Sequence, residues 1–426
     1  MVKPKNLFLF GEMEEKPKIL EVLPFKRERD EYWDFRDTPA GTGVYGIHSY
    51  PAMFHFLVVR ELIKLYSKEK DVVLDPFMGS GVVGVECLIS NRNFIGYDLN
   101  PLAILIAKVR ITPLPQKTLI NTLEQIQKSF YKTGPESISF HNINYWFDEP
   151  IIEDLSRLRR CILNIDDEKI KDFFKIAFSE TVRKVSKTEY NEFKLSRKKK
   201  ENNNVNVIKT FYNVAIKNIG LLSEFYKNYR FKEYPQIILE ERNILNGIPL
   251  KDNSVNLIVT SPPYGDSKTT VAYGQFSRLS LRWLGLEENV DKESLGSKPK
   301  EIKNNLPSEV LYEILNKIYE KDKKRAKEVY SFYDDLFTGI KIISPKIKNG
   351  GVVCFVVGNR KVKGEELPTD KICVDFWESL GFEHEKTIVR AITNKRMPLE
   401  NSPTNVKGVK DSTMKYEYIV ILRKIA

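Results

Sequence analysis

The chain has 426 residues, 42% of them hydrophobic, and its 68 Lys and Arg against 57 Asp and Glu give a formal net charge of +11. Such a length exceeds one compact core and suits two or three domains. No run approaches the ~18 apolar residues of a membrane span, and the charged, proline-bearing segment Met1 to Leu20 does not read as a signal peptide. An intracellular protein is expected. Its positive balance suits a polyanionic partner, because cationic side chains release counterions from phosphates; a lysine surface that only keeps the chain soluble is the plain alternative.

Met1 to Thr42 reads as a polar arm with aromatic residues, and Phe54 to Tyr66 as an amphipathic helix. Val72 to Leu74 reads as a strand, followed by Asp75-Pro76-Phe77-Met78-Gly79-Ser80-Gly81 and then a helix from Val82 to Ser90. Glycines between a strand and a helix let backbone approach a ligand closely. A second strand, Phe94 to Tyr97, ends at Asp98, an acid about 20 residues beyond the glycine turn and so placed to take ribose hydroxyls. The glycine spacing is not GxGxxG, which argues against a nicotinamide cofactor. Leu102 to Val109 is the helix that follows.

From Ile111 to Tyr234 the βαβ turn signals stop. Helical patterns take over at Thr118 to Tyr131, Pro150 to Asn164, Asp167 to Val182 and Val207 to Tyr229. Aromatic and basic residues interleave in Phe178 to Ser186 and Phe193 to Lys200, ahead of a polar run, Glu201 to Asn204, that reads as a loop. Arg183, Lys184, Lys194, Arg197, Lys198 and Lys199 are candidate contacts to a polyanion; lysine runs position a protein on phosphate rather than read sequence. A solvated face is the alternative reading. Strands resume at Ile237 to Leu239 and Val255 to Val259. They are followed by a helix at Phe276 to Trp283, a charged helical stretch from Leu306 to Ile343, a strand at Val352 to Val357, a helix at Phe376 to Leu380, and candidate antiparallel strands at Ile388 to Ala391 and Tyr416 to Leu422. The expected fold is α/β, a doubly wound Rossmann-like sheet with a mainly helical insertion. Its divisions are 1–110 for the arm and the first half of the sheet, 111–235 for the insertion, and 236–426 for the second half of the sheet.

The most informative stretch is Thr260-Ser261-Pro262-Pro263-Tyr264, at the end of the apolar run Leu257-Ile258-Val259. Two prolines fix φ and remove two backbone donors, which leaves nearby carbonyls free to accept from a ligand. A serine hydroxyl and a flat ring complete a set suited to a planar base with an exocyclic amine. The oxygens hold the NH2 and the ring stacks on the base. Taken alone the stretch reads equally as a structural turn; joined to the glycine turn and Asp98 on two other strand ends, it points to a site.

Cys87, Cys161, Cys354 and Cys373 form no CxxC pair, and the four histidines lie in no cluster with metal spacing, so no metal is expected. No cysteine follows a proline, so the Pro-Cys nucleophile of the C5-cytosine enzymes is missing and direct transfer to an amine is favoured.

On these motifs the chain resembles the S-adenosylmethionine-dependent amino-methyltransferases of DNA, enzymes of the N4-cytosine and N6-adenine type found in restriction-modification systems. His48-Ser49-Tyr50-Pro51-Ala52-Met53-Phe54 is similar to the family's leading cofactor segment, Asp75 to Gly81 to its glycine motif, Asp98 to Pro101 to its ribose motif, and Thr260 to Ser267 to its catalytic motif. Thr269 to Ser277, Val357-Gly358-Asn359 and Asn394 to Pro398 also look familiar. Departures are Val82 and Val83, where threonines are frequent, and Glu240, a longer acid than usual beside the cofactor adenine.

The resemblance implies that Tyr50, Pro51, Ala52, Asp75, Phe77, Gly79, Gly81, Asp98, Asn100 and Thr260 bind the cofactor. Ser261, Pro262, Pro263 and Tyr264 then form the catalytic set. Double-stranded DNA is the expected partner, alongside a cognate restriction endonuclease, and the cytoplasmic nucleoid the expected place. The target base is flipped out of the duplex and attacked in line, with no covalent intermediate. Serine at the head of the motif leans toward cytosine N4, since the adenine enzymes more often carry aspartate; N6-adenine is the alternative. An RNA guanine-amine enzyme is less favoured, because Asp-Pro-Pro-Tyr and a separate RNA-binding domain would be expected. Ser261 also argues against the Asn-Pro-Pro-Tyr of protein-glutamine enzymes, and a non-enzymatic DNA-binding module is the remaining rival. His48 reads as a surface turn histidine, and Asp266 and Ser267 as residues that hold the base or close the loop.

Overall fold

A computed structural model of the chain describes residues 21–23, 25–190, 192, 194–198, 205–229, 233–266, 272–392, 400–401, 411–412 and 414–425. Lys199, Ser267, Lys395 and Arg396, and the arm up to residue 20, lie outside the described residues.

Strands β1 (Glu21–Leu23), β2 (Arg27–Arg29), β3 (Val72–Asp75), β4 (Asn93–Asp98), β5 (Ile237–Glu241), β6 (Val255–Thr260) and β7 (Ile347–Val357) come first in the chain. A hairpin β8 (Arg360–Val362) and β9 (Glu365–Leu367), then β10 (Phe382–Ala391), the short pair β11 (Glu400–Asn401) and β12 (Asp411–Ser412), and β13 (Tyr416–Lys424) follow. Nine of these build one sheet in the order β1-β2-β10-β13-β7-β6-β3-β4-β5. Strands β5, β4, β3, β6 and β7 are mutually parallel. β13 is antiparallel to both β7 and β10, as its sequence suggested, so β10 runs with the parallel set. The arm contributes β1 and β2 to the sheet edge rather than only lying over the core.

Parallel strands buried on both faces need apolar residues at every position, and the pattern here divides them cleanly. Val73, Leu257, Val259, Val352, Cys354 and Val356 feed one hydrophobic cluster. Their immediate neighbours Leu74, Ile258, Val353, Phe355 and Val357 feed the other. The first face is covered by helices Phe56–Tyr66, Val82–Ile89 and Pro101–Ile111, and the second by Glu309–Lys321, Lys323–Ile343 and Thr369–Glu378. The helices of segment 111–235, namely Gln116–Phe130, Glu149–Leu163, Glu168–Val185 and Val207–Asn228, join the first cluster. There Trp283, from the helix Tyr273–Leu284 behind the catalytic turn, is ringed edge-on by Phe140, Phe147 and Phe178. All four cysteines are buried and free. Among the described residues no helix is long and apolar enough to cross a membrane, and no group of His, Cys, Asp and Glu could hold a metal ion.

The sheet order reverses at β3, which has β4 on one side and β6 on the other. Ligands of doubly wound sheets bind in the crevice at such a point, beyond the carboxyl ends of the strands. Gly81 starts the helix there at φ 79°, and a Cβ added to it would lie 2.5 Å from Ala107 Cβ. Gly81→Ala is therefore expected to cost about 1–3 kcal/mol through left-handed strain and the clash, read as a fall in thermal midpoint.

Candidate active site

Three strand ends converge on one cleft. Asp75 closes β3 and is buried; its Oδ1 accepts from Thr260 Oγ1 at 2.6 Å and from the Phe77 backbone N–H at 3.1 Å. Burial pushes its carboxyl up to about 7, against the opposing pull of those two hydrogen bonds. Asp98 closes β4. One of its oxygens accepts from the Gly79 N–H at 2.7 Å and the other from the Asn100 N–H at 2.8 Å. Burial again dominates and raises this carboxyl to about 6. Thr260, at the end of β6, is fully buried beneath the cleft and spends its hydroxyl on Asp75, so it links the two motifs rather than lining the cavity.

The cleft is lined by Tyr50, Pro51, Ala52, Asp75, Phe77, Gly79, Asp98 and Asn100 on the cofactor side and by Ser261 and Pro263 on the catalytic side. Ala52 holds φ 48°, a conformation uncommon for a residue with a Cβ. Gly81 shapes the turn without lining the cavity. Asn100 is more structural than expected. Its Oδ1 caps the helix Pro101–Ile111 by accepting from the Leu102 N–H, and its Nδ2 donates to Ser277 Oγ at 2.8 Å, with Tyr50 Oη at 3.4 Å.

Sequence reasoning missed the wall after β5, where Arg242, Asn243 and Ile244 enter the cleft, and also Tyr273 and Leu295. Glu240, the acid it singled out there, pairs with Arg242 at 3.1 Å. Asn243 accepts from the Leu245 N–H and donates to the Glu293 carbonyl, which fixes the turn.

These residues fit S-adenosylmethionine. Each Asp98 oxygen keeps a lone pair for a ribose hydroxyl after taking its backbone N–H. Phe77, Ile244 and Leu295 supply apolar wall.

The catalytic turn is anchored at both ends. Ser261 Oγ donates to Tyr264 Oη at 3.1 Å, and Tyr264 Oη donates to Glu417 Oε1 at 3.1 Å. The Tyr264 ring rests on Gly358, where an added Cβ would lie 2.7 Å from Cδ2 of the ring. This explains the glycine of the Val357-Gly358-Asn359 segment. Asp266 is buried and takes Arg325 at 2.8 Å and Arg360 at 3.1 Å. Burial alone would raise its carboxyl, but the two guanidinium groups overcome that and hold it down at about 2. Asp266 thus closes the loop rather than holding a base. Pro262 is buried behind Ser261.

The basic residues divide. Arg183 is buried, lies 3.7 Å over the Phe276 ring, and donates to the carbonyls of Phe276 and Tyr190. It packs the insertion against the helix behind the catalytic turn and offers nothing to a phosphate, contrary to its reading as a DNA contact. Lys184, Lys194 and Arg197 are exposed, with Arg197 stacked 4.8 Å over Tyr145, and Lys198 is half-buried with its Nζ on the Ser186 carbonyl. Lys184 stands in the last turn of the helix Glu168–Val185, whereas the loop bearing Lys194, Arg197 and Lys198 docks beside the site through the Leu195 N–H, which donates to Gln275 Oε1 at 3.3 Å. His48 is not a surface residue. It is buried, with Nε2 2.8 Å from Ser179 Oγ, and burial lowers its pKa.

Asp98 sets a pH dependence. As the ribose ligand that the resemblance implies, its ionised form would accept the hydroxyls, and affinity for S-adenosylmethionine would then be full well above pH 6 and fall about tenfold per unit below it, with proton release on binding near pH 6. In the ligand-free fold the sign is opposite: a carboxyl raised from 3.8 contributes stability at low pH that is lost as pH rises through about 6. Asp98→Asn, whose amide cannot accept from both backbone donors, should weaken binding at least ~10-fold in calorimetry.

Comparison with known proteins agrees with this geometry. A family model described as DNA methylase matches residues 10–109. The chain is 37% identical to the type II methyltransferase M.MvaI of Kocuria varians, over 93% of this chain and 94% of that protein. It is 24% identical to the type II methyltransferase M.BsoBI of Geobacillus stearothermophilus, over 78% of this chain and 77% of that one. Among solved structures, it is similar to the rRNA methyltransferase aviRa of Streptomyces viridochromogenes, with a TM-score of 0.32, 9% identity and 90% of each chain covered. With M.MvaI matched along nearly the whole of both chains, this chain belongs to the S-adenosylmethionine-dependent type II DNA methyltransferases of the N4/N6 amino-methylating family.

Proposed function

We propose that the chain methylates the exocyclic N4 amine of cytosine in double-stranded DNA. The observation that carries this reading is Ser261, a neutral hydroxyl on the wall of the cofactor cleft where an aspartate would favour adenine. A partner endonuclease with the same recognition sequence is part of the reading. When bound, S-adenosylmethionine supplies an electrophilic sulfonium methyl; Asp98, Gly79, Phe77 and Tyr50 would hold it.

The protein's own share is placement. An exocyclic amine is a poor nucleophile because its lone pair is delocalised into the ring. Ser261 Oγ and the Pro262 carbonyl accept its two hydrogens and draw the nitrogen toward pyramidal geometry. Holding the amine in register with the cleft supplies most of the acceleration. The nucleotide must first leave the helix at a cost of a few kcal/mol, and stacking on the Tyr264 ring offsets part of it. Lys194, Arg197 and Lys198, on a loop tied to Gln275, and Lys184, at the end of the helix before it, meet the phosphates beside the flipped base. An added contribution from Lys199 is proposed on sequence alone.

The test is transfer of labelled methyl to unmethylated genomic DNA, with the product nucleosides identified by mass. N4-methylcytosine is expected; N6-methyladenine would overturn the base assignment while keeping the mechanism of placement. Ser261→Ala should lower kcat about 10²–10³-fold and leave the Kd for S-adenosylmethionine within about twofold. Lys194→Ala with Arg197→Ala should weaken DNA binding alike on all sequences and flatten its salt dependence by about one to two in log–log slope.

A further inference from the structure

A serine hydroxyl is a weaker acceptor than a carboxylate, yet in the reading above it must hold an amine hydrogen. The described structure places a carboxylate two hydrogen bonds behind it. Ser261 Oγ donates to Tyr264 Oη, and Tyr264 Oη donates to Glu417 Oε1, each at 3.1 Å. We propose that Glu417 is a positioning residue that turns Ser261 into the amine acceptor, supplying through Tyr264 the negative charge that the catalytic motif itself lacks. The proposal rests on the reading of Ser261 as the group that holds the amine.

The direction of the chain follows from its far end. An ionised carboxylate only accepts, so the phenolic proton of Tyr264 must point at Glu417. Tyr264 Oη then presents a lone pair to Ser261, and the Ser261 proton points away from the cleft. Among the described residues nothing donates to Ser261 Oγ, so its lone pairs are left to a ligand. Hydrogen bonds in such a series polarise one another, by about 10–30% per bond, and the negative end sharpens the acceptor at the cleft.

Glu417 is held for this task. It faces Arg390 directly across the antiparallel pair β10 and β13. Its second oxygen, Oε2, is ion-paired with Arg390 Nη1. Arg390 is itself buried and tied down by Nε to the Trp33 carbonyl at 2.8 Å. One oxygen is therefore committed to the guanidinium and the other to Tyr264. The rival account is that Glu417 merely braces the Tyr264 ring.

Glu417→Gln separates the two. The amide keeps size and shape, and its oxygen can still meet Arg390. Its NH2 then faces Tyr264 and donates, which reverses the chain and turns the phenolic proton onto Ser261. The expected result is a fall in kcat of about 10–100-fold, with the thermal midpoint, the Kd for S-adenosylmethionine and the KM for DNA little changed. Tyr264→Phe, which keeps the ring and removes the link, should also lose kcat. In a Ser261→Ala background, Glu417→Gln should cost less than about twofold, because the acceptor it serves is gone.

A readout independent of turnover is the ¹³Cζ resonance of Tyr264 in ligand-free protein, assigned by its loss in Tyr264→Phe; it should move upfield in Glu417→Gln as the phenol loses its anionic acceptor. A bracing role predicts multiplicative losses in the double variant, and that result, or wild-type kcat in Glu417→Gln or Tyr264→Phe, overturns the proposal. If Ser261→Ala itself keeps full kcat, the reading of Ser261 fails and this one with it. If Ser261→Ala loses turnover and Glu417→Gln does not, only the present inference fails.

Discussion

One buried hydrogen bond, 2.6 Å from Thr260 Oγ1 to Asp75 Oδ1, joins the two halves of the site. Thr260 ends β6 and Asp75 ends β3, strands that pair in parallel through Val73–Leu257 and Leu74–Ile258. Parallel pairing brings both carboxyl ends to the same edge, and the bond then locks the glycine turn to the catalytic turn. Asp98 reaches the same edge from the other side of β3 and is held by the Gly79 N–H. The spacing between cofactor and base is thus set by the sheet, a rigid element, rather than by the loops that carry the chemistry.

The rest of the polar interior serves to pin those loops. Arg110 is fully buried and holds the Ser80 carbonyl and hydroxyl of the glycine turn while also reaching the Tyr45 carbonyl just ahead of the leading segment. Glu86 takes Arg60 and Tyr45 on the same face. On the catalytic side Arg325 and Arg360 hold Asp266. Buried ion pairs contribute little net stability, but breaking one by removing a partner leaves a stranded charge at a cost of about 3–5 kcal/mol. Their value here lies in geometry: Arg325 and Arg360 fix the catalytic turn through Asp266, and Arg60 with Glu86 joins the helices Phe56–Tyr66 and Val82–Ile89.

The parts of this site that are local in sequence were legible in it. A strand followed by a glycine turn, and a strand followed by two prolines, announce backbone geometry within a few residues. The parallel sheet follows from apolar runs with no polar alternation. What was not legible depends on distant partners. Glu417 lies 153 residues beyond Tyr264 and sits in a strand with no motif. Asn243 is in a short polar turn, and attention to Glu240 looked three residues too early. Arg183 reads as a phosphate contact because it stands in a basic run. Its helical spacing held the opposite signal, since it falls seven residues after the buried Ile176 on the same helix face. His48 shows the same limit: a lone histidine carries no sign of the Ser179 that buries with it.

Thr260→Val tests whether the glycine turn and the catalytic turn form one site through the Thr260–Asp75 bond. Valine keeps the shape and leaves the Asp75 carboxyl to the Phe77 N–H. Measured by calorimetry for S-adenosylmethionine and by single-turnover methyl transfer on the same preparation, the account predicts that both affinity and rate fall about tenfold or more in a folded protein. Unchanged affinity together with an unchanged rate would contradict it and leave the two motifs as neighbours without a working link.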